Sequence, residues 1–165
     1  MIEGIVRDAV ADDSDAILDI YTYYIAHTAA TFEVEAPPCA AFRARVEGIL
    51  AEYPYVVYEE NGAVLGYAYA SKSRERAAYR FNADVSVYVQ KDAAGRGIGG
   101  RLYAALFERL ARTELVNIYA AIVPPNDASI RLHETFGFTP VGTFRRTGWK
   151  FGAWHDVFWM EKQIH

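Results

Sequence analysis

The sequence predicts an α/β domain built around one mixed β-sheet, and three observations carry that expectation. Segments rich in β-branched and aromatic residues alternate along the whole chain with segments whose apolar residues recur at helical spacing. Apolar residues make up 52% of the 165 residues and aromatics 15%, enough to fill a core without disulfides or metals. No internal repeat or low-complexity tract interrupts the chain, so residues 1–165 read as one domain.

Taken in order, Ile5 to Arg7 reads as a short first strand. Asp12 and Asp15 offer a capping pair for a helix whose Ile17, Ile20, Tyr21, Tyr24 and Ile25 form one apolar face. Thr28 to Pro38 loses that period and ends in Pro37-Pro38, which marks a loop, and Cys39, following Pro37-Pro38, is expected in a loop as well. A second helix is expected over Ala41 to Glu52, with Phe42, Val46, Ile49 and Leu50 inward. Tyr55 to Tyr58 and Val64 to Ala70 flank Asn61-Gly62, a strong hairpin signal. After the polar stretch Ser71 to Ala78 comes a strand, Asp84 to Gln90. It runs into a glycine-rich loop, Lys91 to Gly100, and then a helix striped by Leu102, Leu106 and Leu110. Val116 to Val123 is a strand, Asp127 to Phe136 a short helix, and Phe138 to Arg145 and Val157 to Glu161 are closing strands. The expected order is β-α-α-β-β-β-α-β-α-β-β.

Composition excludes several classes of function. The net charge is −4 and no basic run exists, which argues against nucleic acid as a partner. Cys39 is the single cysteine, so no internal disulfide forms, as suits a reducing compartment. The start, MIEGIVRDAV, lacks the pattern of a signal peptide, and no stretch approaches the roughly 18 apolar residues of a membrane span. A soluble, cytoplasmic protein without membrane contact is expected. His27, His155 and His165 show no metal-ligand spacing, so no metal is expected.

The most informative segment is Ala94-Gly95-Arg96-Gly97-Ile98-Gly99-Gly100, between a strand and a helix. Glycines turn backbone N–H groups outward, and the helix behind adds its positive end, which together suit a diphosphate. Three readings stand side by side. A plain strand-to-helix turn needs fewer than the four glycines in six residues found here. A dinucleotide site matches the spelling G-x-G-x-x-G at Gly95, Gly97 and Gly100, but the next strand ends in Val123-Pro124-Pro125 without its acid, and Glu114 precedes that strand. No Gly-Lys-Ser/Thr of a P-loop occurs. The third reading is a loop for the pyrophosphate of coenzyme A.

The run Val87-Tyr88-Val89, the loop Ala94 to Gly99, and Asn126-x-x-Ser129-x-x-Leu132-His133 followed by Phe136-Gly137-Phe138 resemble, in order, the two central motifs of the GNAT superfamily of N-acetyltransferases. More closely, PNDASIRLHETFGF (125–138), GTFRRTGWKFGAWHDVFW (142–159), IVRDAVADD and TFEVEAP (31–37) resemble phosphinothricin and methionine sulfone or sulfoximine acetyltransferases. The resemblance covers essentially the whole chain. One departure is Ala94, where the superfamily loop normally opens with Gln or Arg.

The resemblance implies the GNAT fold, a central, mostly antiparallel mixed sheet flanked by helices. It implies acetyl-CoA as cosubstrate, a small amino-acid-like amine as acceptor, and a homodimer. Cys39 has no adjacent base in sequence, so direct attack by the amine without an acyl-enzyme is expected. Asp84, where relatives usually carry Glu, is the expected general base, acting directly or through water, and His133 the expected acid for the leaving thiolate. Val87, Tyr88, Val89, Ala94, Gly95, Arg96, Gly97, Ile98, Gly99, Asn126 and Ser129 are the expected cofactor-binding residues. Asn126 reads equally as a helix cap. Phe32, Glu33, Lys72, Tyr79, Arg80, Lys150 and Trp154 are expected around the acceptor, near Arg74, Phe81 and Trp149, with Arg80 the best candidate for binding a carboxylate or phosphinate. Two alternatives stand beside this: acetylation of a protein N-terminus, and a non-catalytic acyl-CoA-binding sensor on the same fold.

Overall fold

A computed structural model describes residues 3–165. The elements are β1 (Ile5–Asp8), α1 (Ser14–His27), α2 (Cys39–Leu50), β2 (Tyr55–Glu60), β3 (Ala63–Lys72), β4 (Asn82–Val89), α3 (Ile98–Leu110), β5 (Asn117–Ile122), α4 (Asp127–Thr135), β6 (Thr139–Lys150) and β7 (Ala153–Gln163). This is the order expected from the sequence. The seven strands form one sheet in the order β1-β2-β3-β4-β5-β7-β6. Every neighbouring pair is antiparallel except β4 and β5.

Side-chain alternation gives the sheet two apolar faces, each covered by helices. On one face α3 buries Ile98, Leu102, Leu106 and Leu110 against Ala68, Ala70, Ala83 and Val85. Small residues let that helix come close. A Cβ on Gly66 of β3 would lie 3.0 Å from the Leu102 side chain and 3.1 Å from the Tyr88 carbonyl. On the other face α1 and α2 bury Ile17, Ile20, Phe42 and Val46 against Tyr55, Val57 and Tyr67. Aromatic rings knit this second layer. Tyr88 sits 5.4 Å from Tyr21 and 5.1 Å from Tyr24, ring centre to ring centre.

Three local expectations are corrected. The Asp12 and Asp15 pair does not cap α1. The Asp13 carboxylate accepts the Val10 N–H at 2.8 Å and two Arg7 guanidinium N–H groups at 2.9 Å, and a 3-10 turn over Ala11–Asp13 leads into the helix. Asp12 pairs instead with Arg43 at 2.9 Å on the surface. Next, α2 starts at Cys39, directly after Pro38, so Cys39 is an exposed helical residue and not part of the loop. Pro38 accounts for this, because its fixed φ suits the position before a first turn. Finally, β6 and β7 extend beyond Arg145 and begin before Val157, joined by a tip at Phe151-Gly152 with φ of 53° and 68°. A turn with positive φ at a phenylalanine lacks the usual sequence signature.

Candidate active site

The site begins where the sheet comes apart. β4 and β5 pair only at Asn82↔Asn117, Ala83↔Ile118 and Asp84↔Tyr119. The Asn117 side-chain amide donates to the Asn82 side-chain oxygen at 3.0 Å and pins the base of this fork. Beyond Asp84 the strands diverge. The Gln90 N–H donates to the Leu65 carbonyl at 2.8 Å. Antiparallel alternation therefore turns the main-chain groups of Val85, Val87 and Val89 away from β3, into the gap. The gap is the floor of a cleft of about 430 Å³, lined by Val87, Tyr88, Val89, Ala94, Asn126 and His133 among others. Tyr24 reaches across from α1, its hydroxyl donating to the Val89 carbonyl at 2.5 Å.

The glycine-rich loop closes one end of the cleft. Gly95 and Gly97 have φ of 79° and 78°, a conformation that side chains with a Cβ rarely adopt. Gly97 is the N-cap of α3, and no side chain caps the helix. The first helical bond is Arg101 N–H to the Gly97 carbonyl at 3.2 Å, which leaves the N–H groups of Ile98, Gly99 and Gly100 without helical partners. Such amides at a positive helix end suit an anionic diphosphate. Ala94, Gly95, Gly97, Ile98 and Gly99 all line the cleft. The Arg96 side chain does not. Its guanidinium bonds Glu60 at 2.7 Å.

The opposite wall is the start of α4. The Asn126 side-chain oxygen accepts the Ser129 N–H at 3.2 Å, so Asn126 caps this helix and also faces the cleft. Ser129 lines the cleft as well. His133 is 3% exposed, and both its ring nitrogens are engaged. Nδ1 lies 2.7 Å from the Ser129 carbonyl and Nε2 lies 2.8 Å from the Tyr103 hydroxyl. A carbonyl only accepts, so Nδ1 carries the proton and Nε2 accepts from Tyr103. Burial holds the imidazole pKa below its ordinary value. His133 is thus a buried ring held at both nitrogens within the fold.

Asp84 stands at the fork itself, on the sheet face covered by α1 and α2. Burial raises its carboxyl pKa, opposed by the Ser73 hydroxyl and the Arg74 charge. Its Oδ1 is buried and has no hydrogen-bond partner in the protein. A carboxylate with a raised pKa and a free lone pair is suited to taking a proton.

The expected acceptor residues divide into two groups. Thr28 to Pro38 does approach the site, since Ala30 lines the cleft. Phe32 lies over Gly148, where a Cβ would fall 2.4 Å from the ring, and the buried Lys150 ammonium donates to the Thr31 carbonyl at 2.8 Å. Burial lowers the Lys150 pKa. These residues dock the loop onto the β6–β7 hairpin. Glu33 does not offer a free carboxylate. Arg45 binds it at 2.8 and 2.9 Å, the Tyr21 hydroxyl also donates to it, and the Arg45 bonds hold its pKa below the ordinary carboxylate value. The other group lies outside the cleft. Lys72 pairs with Glu75 at 3.6 Å, Tyr79 is exposed under Arg74, and Arg80 stacks on Phe81 at 4.3 Å. Trp149 and Trp154 pack against each other, 58% and 56% exposed on the hairpin. The Arg74 charge favours the ionised form of Asp84.

Sequence reasoning missed Tyr24 and Tyr103, which it assigned to an apolar face or did not mark, and Trp159, whose buried indole N–H has no partner in the protein. Nothing in a helical stripe separates a tyrosine used for its ring from one used for its hydroxyl. Among the described residues no group of three or more His, Cys, Asp or Glu converges as a metal site would require.

Residues 6–159 match the sequence profile described as the acetyltransferase (GNAT) domain. A phosphinothricin N-acetyltransferase of Streptomyces coelicolor is 40% identical over 163 residues, spanning 96% of this chain and 95% of that one. An L-methionine sulfoximine/L-methionine sulfone acetyltransferase of Salmonella typhimurium is 36% identical, spanning 96% and 94%. Among solved structures, a GNAT superfamily phosphinothricin acetyltransferase from Sinorhizobium meliloti, in complex with acetyl-CoA, superposes with a TM-score of 0.93 at 38% identity, covering 98% of this chain and 89% of that one. With a parted parallel strand pair, an uncapped glycine-led helix and relatives of this kind along nearly its full length, the chain belongs to the GNAT acetyltransferase family.

Proposed function

We propose that this protein transfers the acetyl group of acetyl-CoA to the amino group of a small, amino-acid-like acceptor such as phosphinothricin, methionine sulfone or methionine sulfoximine. The observation that carries the proposal is the fork, where unpaired β4 main-chain groups run from the buried Asp84 carboxylate toward the free amides of the glycine loop. Bound there, acetyl-CoA supplies an activated thioester.

The residues then divide the work. The amides of Ile98, Gly99 and Gly100, with those of Gly95 to Gly97, hold the diphosphate. A helix end and main-chain N–H groups do this without the side chain that Ala94 lacks. The main-chain groups of Val87 and Val89 pair with the amide-bearing arm, and an N–H of this edge polarises the thioester carbonyl. Asn126 and Ser129 flank the arm from α4. Asp84 takes one proton from the acceptor ammonium, directly or through water. The freed amine attacks the carbonyl carbon, a C–N bond forms and the C–S bond breaks. As the amide forms the nitrogen loses a second proton, so of the two protons released one is taken up by the departing thiolate and the other passes from Asp84 to solvent. His133 acts as a positioning residue, holding Tyr103 and the first turn of α4 in place.

The β6–β7 hairpin exposes Val141, Phe144, Trp149, Phe151 and Trp154, a patch that a second copy of the chain would cover, so we assign a homodimer. Trp149 and Trp154 act there and not in the acceptor pocket of their own subunit. Dependence on acetyl-CoA and a single exposed thiol, Cys39, suit work in the cytoplasm on a free small molecule. The test is thiol release from acetyl-CoA with phosphinothricin, methionine sulfone, methionine sulfoximine and peptides bearing free N-termini. Release with the amino acid analogues is expected. Release with peptides alone would point to protein N-termini, and acetyl-CoA binding with no release from any acceptor would point to a sensor.

A further inference from the structure

Among the described residues, two buried side-chain polar atoms have no hydrogen-bond partner in the protein: Asp84 Oδ1 and Trp159 Nε1. Buried polar atoms seldom stay unpaired, and a tryptophan N–H in particular usually finds an acceptor. Asp84 has its use in the proposed reaction. The Trp159 N–H has none within the fold.

The strand register puts both groups on one face of the sheet. Asp84 pairs with Tyr119, Tyr119 with Glu161, and Ala121 with Trp159, without a register shift along β5 and β7. Phe158 and Met160, on either side of Trp159, belong to the core beneath α3, which fixes Trp159 to the opposite face, the one Asp84 shares. Between the two lies Ala121, an exposed methyl that lines the cleft. From Asp84 to Trp159 the register runs two strand spacings across and two residues along, about 12 Å. The Phe144 ring, 5.7 Å away centre to centre, steadies the indole.

We propose that the Trp159 indole N–H donates a hydrogen bond to an oxygen at the far end of the acceptor's side chain. The acceptor's amine sits at Asp84, its hydrocarbon stem crosses Ala121, and its terminal oxygen meets Trp159. The site thereby selects acceptors whose side chain ends in an acceptor-only oxygen over those of equal length that end in carbon or a thioether. A neutral donor serves an anionic phosphinate and an uncharged sulfone alike, whereas a cationic side chain would favour the anion. This rests on the acyl-transfer reading above.

The experiment compares methionine sulfone with methionine, which has the same skeleton without the two oxygens. The wild-type protein should favour the sulfone in kcat/KM. Trp159→Phe should cut kcat/KM for the sulfone about tenfold, mainly through KM, and collapse the preference, as the loss of one buried hydrogen bond predicts. In the wild-type protein with CoA bound, the Trp159 indole N–H resonance should move downfield on addition of methionine sulfone and not of methionine, a readout that needs no variant to fold. Equal losses for both acceptors, an unchanged preference, or no selective resonance shift would overturn the assignment while leaving acetyl transfer intact. A wild-type protein that releases no thiol with any amine would overturn the reaction itself.

Discussion

The Tyr103 hydroxyl and His133 Nε2 lie 2.8 Å apart inside the protein, a donor and an acceptor with no access to solvent. Tyr103→Phe leaves that nitrogen buried and unpaired, so stability should fall by about 1–3 kcal/mol in denaturant unfolding. Burial of the same imidazole sets a pH dependence. The folded-state pKa of His133 lies below its ordinary 6.5, so the unfolded chain binds the proton more readily. His133 should therefore cost the wild-type protein stability as pH falls through 6.5, a loss that melting curves at stepped pH should reveal and that His133→Gln should lessen.

Asp84 behaves in the opposite sense. Its folded-state pKa lies above the ordinary 3.8, so the buried carboxylate disfavours folding at neutral pH, and stability is regained as pH falls through the raised value. Asp84→Asn should hold or raise Tm at pH 7. It should also lower kcat by about 10²–10⁴-fold and remove the rise of kcat with pH that deprotonation of Asp84 imposes. Acetyl-CoA affinity, read by calorimetry, should be unchanged. A variant with wild-type kcat across the pH range would remove Asp84 from the role of base.

Gly97→Val tests the loop. At φ of 78° a β-branched residue strains the backbone by about 1–3 kcal/mol, although nothing crowds the position. The loop should settle into another conformation and turn its amides away. Calorimetry should then detect no acetyl-CoA binding to a protein that still melts cooperatively.

Gly148→Ala tests the acceptor side. The added methyl falls 2.4 Å from the Phe32 ring, so Phe32 and the loop it anchors must shift. Overpacking of this kind costs about 1–3 kcal/mol. The KM for the acceptor should rise, with the KM for acetyl-CoA near its wild-type value. A rise in both would show that the loop also holds the donor.

Much of this was legible along the chain. Leu102, Leu106 and Leu110 announced α3 by spacing, and Gly95 and Gly97 announced the loop because residues with a Cβ rarely adopt the φ values found there. Asn126 was readable both as a cap and as a cleft residue, and it is both. The acceptor side was less legible because it depends on where distant segments meet. Arg74 and Arg80 look alike in sequence, but Arg80 turns onto its neighbour Phe81 while the Arg74 charge acts on Asp84. Glu33 carries the right chemistry for an amine, yet Arg45, from the helix α2, already holds it. The partnership of Tyr103 with His133 spans 30 positions, a distance no periodicity records.

The fork between β4 and β5 bears on how this protein can be hardened. Its donor groove is made of hydrogen bonds the sheet leaves unmade beyond Asp84 and Tyr119. A change that mended this seam would add rungs to the ladder and raise heat tolerance, and in doing so would fill the slot the donor needs. Screens for thermostable variants should therefore find their gains at sites such as the surface of α2 or the β2–β3 turn at Asn61-Gly62, and should leave this seam open.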